Sequence, residues 1–185
     1  DHRDLHSFPT RRSSDLDTLS YFQMSPDDRY NNYHKLTFSM MYYYNEKFLL
    51  PLSHDEVVHG KATILQKMYG DYDIKFPQAR AFYMYMMVHP GKKLNFMGNE
   101  LGQFREWDEK REQDFMLLDF PIHRAFNNYI ADLNKNYLSH SAFFGKEYDY
   151  DGFKWLDCNS PDRLMYSILR EDNKSRIFEI GRAHV

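Results

Sequence analysis

The amino-acid sequence predicts an α/β fold: consecutive strand–helix units of a parallel sheet or barrel, followed by the opening of a separate all-β domain. Three observations predict it. Up to Leu138, segments of helical period alternate with short continuous apolar runs, in the order helix, strand, helix, strand, helix. After Gly145 the pattern changes to short apolar runs separated by turn residues, as in hairpin-connected strands. Both early strand candidates also end in polar groups, Ser53-His54-Asp55 and Asn99-Glu100. In a parallel barrel, functional side chains stand where strands end and βα loops begin.

The elements follow in chain order. Ser25-Pro26-Asp27-Asp28 carries start signals for a short helix or turn. Tyr33, Leu36, Met40, Met41 and Tyr44 recur at helical spacing and predict a helix over 33–44. Phe48 to Leu52 is a continuous apolar run of the kind buried on both sheet faces. Pro51 cannot donate to a ladder and argues against a central position in the sheet. A long connection over 53–76 holds His54, Asp55, Glu56, His59 and Lys61, and connections of that length are commonly functional. Pro77 is placed to open an apolar helix over 79–88, which Pro90-Gly91 stops. Lys93 to Met97 reads as a second short strand, and the polar, acidic stretch from Gln103 to Asp114 contains Trp107. Ile122, Phe126, Tyr129, Ile130, Leu133 and Tyr137 share one face of a last helix over 121–138. Strands over 153–156 and 164–169 flank Asn159-Ser160-Pro161-Asp162, and 175–178 can pair back across 171–174.

Composition removes several function classes. Net charge is −3 with both signs interspersed, so no basic stripe is present to neutralise a phosphate backbone and nucleic acid is not an expected partner. No apolar run approaches the ~20 residues that span a bilayer, so no membrane is expected either. Cys158 is the only cysteine, which precludes an intrachain disulfide and points to a reducing, cytoplasmic setting. Aromatic residues make up 17% of the chain. Such rings can stack on sugars, but ordinary core packing accounts for most of them.

The two ends stand apart. Asp1 to Leu16 and the closing Ile180 to Val185 resemble translations of standard short-read sequencing adapters. Residues 1–16 and 180–185 are therefore expected to be non-native tails around a partial coding sequence.

His54-Asp55-Glu56-Val57-Val58-His59 first suggests a metal. A zinc-protease helix needs two His at i and i+4, whereas i and i+5 turns the rings about 140° apart. Zinc is thereby disfavoured, and neither a metal nor a cofactor is expected. A solvated acidic loop is one remaining reading and a sugar site the other. Glycosidic cleavage passes through an oxocarbenium-like transition state that needs closely placed carboxylates. Asp55 would suit a carboxylate holding ring hydroxyls, with His54 donating to a neighbouring hydroxyl; general acid/base work stays equally open on chemistry alone.

Leu50-Pro51-Leu52-Ser53-His54-Asp55-Glu56-Val57-Val58-His59-Gly60-Lys61 resembles the last conserved segment of bacterial-type glycogen branching enzymes of the α-amylase superfamily. A second likeness lies in Pro90-Gly91-Lys92-Lys93-Leu94-Asn95-Phe96-Met97-Gly98-Asn99-Glu100, followed by Arg105-Glu106-Trp107, and it continues to Gly152-Phe153-Lys154-Trp155-Leu156. The resemblance implies the C-terminal part of a (β/α)8 TIM barrel over 17–147 and the start of an all-β sandwich domain over 148–179. It implies retaining cleavage of an α-1,4-glucan and transfer of the chain to a glucose 6-hydroxyl. By the same resemblance Asp55 is the transition-state-stabilising carboxylate and His54 its substrate-binding neighbour. Glu100 and Trp107 lie near that mouth as candidate substrate-binding residues, with packing and loop-anchoring as competing roles.

The family's nucleophilic Asp and acid/base Glu belong to earlier strands, and no segment over 17–178 resembles either motif. The isolated chain is thus expected to lack branching activity, and helix faces such as Phe82/Met86 to lack partners. A hydrolase of the same superfamily and a non-catalytic α-glucan-binding module are the alternative readings.

Overall fold

The structure, a computed structural model, describes residues 12–182 apart from 42, 46–48 and 59. Helix α1 (Arg12–Gln23) is followed by α2 (Pro26–Asn32), where the Ser25 side chain accepts from the Asp28 N–H and caps the helix as its Ser-Pro-Asp start signals predict. The single helix expected over 33–44 is instead three 3-10 segments, Tyr33–Leu36, Phe38–Met41 and Tyr43–Asn45. Tertiary anchors replace the helical face there. Ser39 Oγ lies 2.7 Å from His89 Nε2, and the Tyr43 hydroxyl donates to the Glu147 carbonyl at 3.0 Å.

Strand β1 (Leu49–Leu52) pairs in parallel with β2 (Lys92–Asn95), with Leu49 opposite Lys92 and Leu52 opposite Asn95. Phe48, included in the predicted run, lies outside the described residues. Pro51 is tolerated because this sheet has two strands, so each keeps one unpaired edge. Helix α3 (Tyr72–Val88) crosses between them. It begins five residues before Pro77, which therefore sits inside the helix instead of opening it. Two features outweigh the proline. The Asp71 carbonyl accepts from both the Ile74 and Lys75 N–H groups, and Phe76 is fully buried against Tyr72, His123 and Phe126. Helix α4 (Pro121–Ser139) follows its predicted periodicity and buries Phe126, Ile130 and Leu133.

The tail is an antiparallel meander of β3 (Phe153–Ser160), β4 (Met165–Glu171) and β5 (Arg176–Arg182), in that order. Helix α1 starts within the first adapter-like string and β5 runs into the second. The fold is thus mixed α/β, with a small parallel sheet and a small antiparallel one.

Contrary to expectation, Phe82 and Met86 are covered: both are about 95% or more buried, and Phe82 makes an edge contact with Phe22 of α1 at 5.6 Å. Phe22 of α1 supplies a partner that the sequence did not announce.

Two buried arginines tie helix ends to the rest of the core. The Arg29 guanidinium donates to the Tyr21 and Phe22 carbonyls at 3.1 and 2.8 Å, in the last turn of α1. Arg170 on β4 donates to the Val88 carbonyl at the end of α3 (2.9 Å) and to the Phe143 carbonyl (2.7 Å). A cation there satisfies orphan carbonyls and complements the negative helix end.

Candidate functional site

The motif that begins at His54 is positioned by β1. Leu50 and Leu52 are buried, and the Leu52 carbonyl accepts the Phe96 N–H at 2.8 Å, so the parallel pairing extends to the carboxyl ends of both strands. The chain then turns out in a 3-10 segment, His54–Glu56. His54 and Asp55 leave the sheet here with side chains 58% and 45% exposed, and His54 Nε2 stands 3.5 Å from Asp55 Oδ1. The pair is therefore at the strand end and open to solvent, not tucked behind the sheet.

An open cleft of about 750 Å³ lies beside it, lined by His54, Val58, Glu106, Trp107 and the residues from Asp108 to Arg111, with Arg105 at one side. Two ring contacts connect its walls. His54 packs 5.9 Å from Phe96, and Phe96 meets Trp107 edge-on at 5.2 Å. Of the four residues singled out from sequence, the cleft joins His54 and Trp107 directly, and Asp55 adjoins it through His54.

Glu100 is placed elsewhere. It sits in a 3-10 turn, Asn99–Leu101, at the carboxyl end of β2, with its backbone carbonyl accepting from Asn127 Nδ2 of α4 at 3.3 Å. It does not line the cleft. Its side chain instead bears on Tyr83, whose phenol is pushed well up, by burial first and by the Glu100 charge second. The same strand end carries Asn95, whose Oδ1 accepts from both Tyr83 Oη and Asn99 Nδ2 at 3.2 Å.

Sequence reasoning missed Glu106. Its carboxylate accepts the Gly60 N–H through Oε2 (2.9 Å) and the Ala62 N–H through Oε1 (2.7 Å). Next to it, the Trp107 N–H donates to the Val57 carbonyl at 3.1 Å. Arg105 turns the other way, donating to Asp114 Oδ1 from Nε and Nη2 at 3.1 and 2.8 Å. The signal in the sequence was its place beside Trp107 in the Arg105-Glu106-Trp107 stretch, which does not say what the carboxylate holds. His59 lies outside the described residues. Among the described residues, no group of three or more His, Cys, Asp or Glu side chains could hold a metal ion, and no helix is long and apolar enough to cross a membrane.

A polar strand end that opens onto a cleft lined by one tryptophan and several charged side chains is the arrangement of a βα protein with its site at the carboxyl ends of the strands, and sequence relatives supply the family. No family model matches the chain. It is 46% identical over 165 residues to the 1,4-alpha-glucan branching enzyme GlgB 1 of Clostridium perfringens strain SM101, covering 89% of this chain and 24% of that protein. It is 44% identical to the 1,4-alpha-glucan branching enzyme GlgB of Geobacillus stearothermophilus, with 85% of this chain and 25% of that protein covered. The GlgB of Aquifex aeolicus is 45% identical, over 86% of this chain and 25% of that protein. The chain belongs to the 1,4-alpha-glucan branching enzyme family, and it spans about a quarter of the length of the curated relatives it matches.

Proposed function

We propose that the chain supplies part of the glucan site of an enzyme that cleaves an α-1,4-glucan with retention and transfers the freed chain to a glucose 6-hydroxyl. The observation that carries this is the His54-Asp55 pair, half exposed at the carboxyl end of β1 and beside the cleft that Trp107 walls. In the proposal β1 and β2 are consecutive strands of a (β/α)8 barrel over 17–147. The β3–β5 meander opens a sandwich domain over 148–179, and residues 1–16 and 180–185 are non-native. The setting is the cytoplasm.

The chemistry follows from charge. As the glycosidic bond breaks, positive charge grows on the ring carbon and ring oxygen. Asp55 is the carboxylate that favours this distorted, charged sugar by accepting from ring hydroxyls, and His54 donates to the adjacent hydroxyl. Trp107 offers its ring as an apolar wall against a glucose unit, with Phe96 behind it. Glu100, away from the cleft, acts in this scheme by holding the β2 strand end.

Joining the chain to its upstream reading frame tests the reading. The extended protein should form new α-1,6 branches from amylose, and Asp55→Asn should lower that rate about a thousandfold. An Asp55→Asn rate equal to wild type, or release of reducing sugar without new branches, rejects it.

A further inference from the structure

We infer that Glu106 is a positioning residue for the glucan site: its carboxylate holds the loop that carries His54 and Asp55 in the conformation that faces the cleft. The inference rests on the glucan reading above. Its ground is a geometry that the proposed chemistry does not use.

Residues 60–62 turn back on themselves with Gly60 at φ +78° and Ala62 at φ +65°. For glycine that conformation is ordinary, but for alanine it is strained and persists only where surrounding contacts enforce it. The turn presents the Gly60 and Ala62 N–H groups to one side, a concavity suited to an anion. The two oxygens of Glu106 fill it, one to each N–H. Charge-assisted bonds of this kind are stronger than neutral ones, so Glu106 holds the Ala62 backbone from its N–H side, while the Lys67 ammonium donates to the Ala62 carbonyl at 2.7 Å.

The loop so held is short and closed on itself. The Lys61 ammonium reaches back to the Asp55 carbonyl at 2.8 Å, and the Val57 N–H donates to the His54 carbonyl at 3.0 Å. Glu106 and Trp107 adjoin in sequence, and Trp107 holds the Val57 carbonyl. A shift of the Gly60–Ala62 turn therefore passes to His54 and Asp55 through two hydrogen bonds. Glu106 also lines the cleft beside Trp107, so the clamp and the Trp107 wall belong to one stretch of chain.

The test uses NMR on the 185-residue chain and on Glu106→Ala and Glu106→Gln. Amide exchange at Gly60 and Ala62 is read together with maltoheptaose affinity, and α4 amides report folding. In Glu106→Ala both loop amides should exchange at least about tenfold faster, α4 should be unchanged, and maltoheptaose should bind about tenfold more weakly. Glu106→Gln keeps one acceptor oxygen, so one of the two amides should stay protected and part of the affinity return; this variant carries the test if the alanine protein loses α4 protection. Wild-type exchange at Gly60 and Ala62 in the variants overturns the clamp, and faster exchange with unaltered affinity overturns its positioning role. A wild-type chain that does not bind maltoheptaose rejects the glucan reading instead. The His54 and Asp55 resonances of Glu106→Ala then decide the clamp: displaced signals support it and unmoved signals overturn it.

Discussion

The Trp107 backbone N–H donates to the Val57 carbonyl at 3.1 Å, lacing the loop after β2 onto the loop after β1. Parallel neighbours in a sheet share no hairpin, so their carboxyl-end loops must be joined by contacts of this kind if a site is to form between them. Here one hydrogen bond, one carboxylate clamp and a run of edge-on and tilted ring contacts do so.

Trp107 is the cleft's large apolar wall. Trp107→Ala should weaken maltoheptaose binding about tenfold, ~1.4 kcal/mol, while Trp107→Phe should retain most of it. Calorimetric titration against the 185-residue chain measures both, and equal affinity for all three proteins would remove Trp107 from the sugar-binding surface.

Phe76 is the side chain that carries α3 past the proline. It is fully buried, with edge contacts to His123 at 5.0 Å and Phe126 at 5.7 Å. Phe76→Ala should cost about 3–5 kcal/mol in urea unfolding. Pro77→Ala should be neutral or stabilising, because Pro77 is exposed and an alanine there regains a helical N–H.

Arg170 lies fully buried across the end of α3. Arg170→Met fills similar volume but strands the Val88 and Phe143 carbonyls and removes a positive neighbour from the buried Glu147, whose remaining cation partner is Lys92 at 2.7 Å. A loss of about 3 kcal/mol is expected, read from urea midpoints. A smaller loss than that of a surface control such as Arg163→Met would contradict the capping role.

Two half-buried groups give stability an unusual pH course. Burial pushes Glu179 up to about 7, so the folded chain keeps a proton that the unfolded chain releases near the ordinary carboxylate value. Stability from this group is full below that value and is lost as pH rises to about 7. Burial pulls Lys93 down to about 7, so the unfolded chain holds the extra proton between there and the ordinary lysine value. That contribution is present at alkaline pH and lost as pH falls to about 7. Together they should produce a shallow stability minimum near neutral pH in thermal unfolding scans. Glu179→Gln should flatten the acid limb and Lys93→Met the alkaline limb.

Much of this was legible in the sequence because it depends on local pattern. Helix α4 has a wide apolar stripe of one period, and the β3–β5 meander has turn residues between apolar runs. The strand-end position of His54 and Asp55 followed from the apolar run before them. What was not legible depends on partners distant in sequence. Phe76 gains its burial from α4, and the 33–44 segment exchanges a helical face for separate anchors at His89, Glu147 and Tyr85. Glu106 is the clearest case, since the backbone turn it fills involves an alanine at positive φ that no composition or period announces.

The most direct measurement is an NMR titration of the isotope-labelled 185-residue chain with maltoheptaose, following the His54 ring and Trp107 indole signals. The account requires both to shift together and saturate with one binding constant, as residues lining one cleft must. Saturable shifts at Lys92, Lys93 and Tyr137 with His54 and Trp107 unmoved would place any glucan at the opposite end of β2 and contradict it.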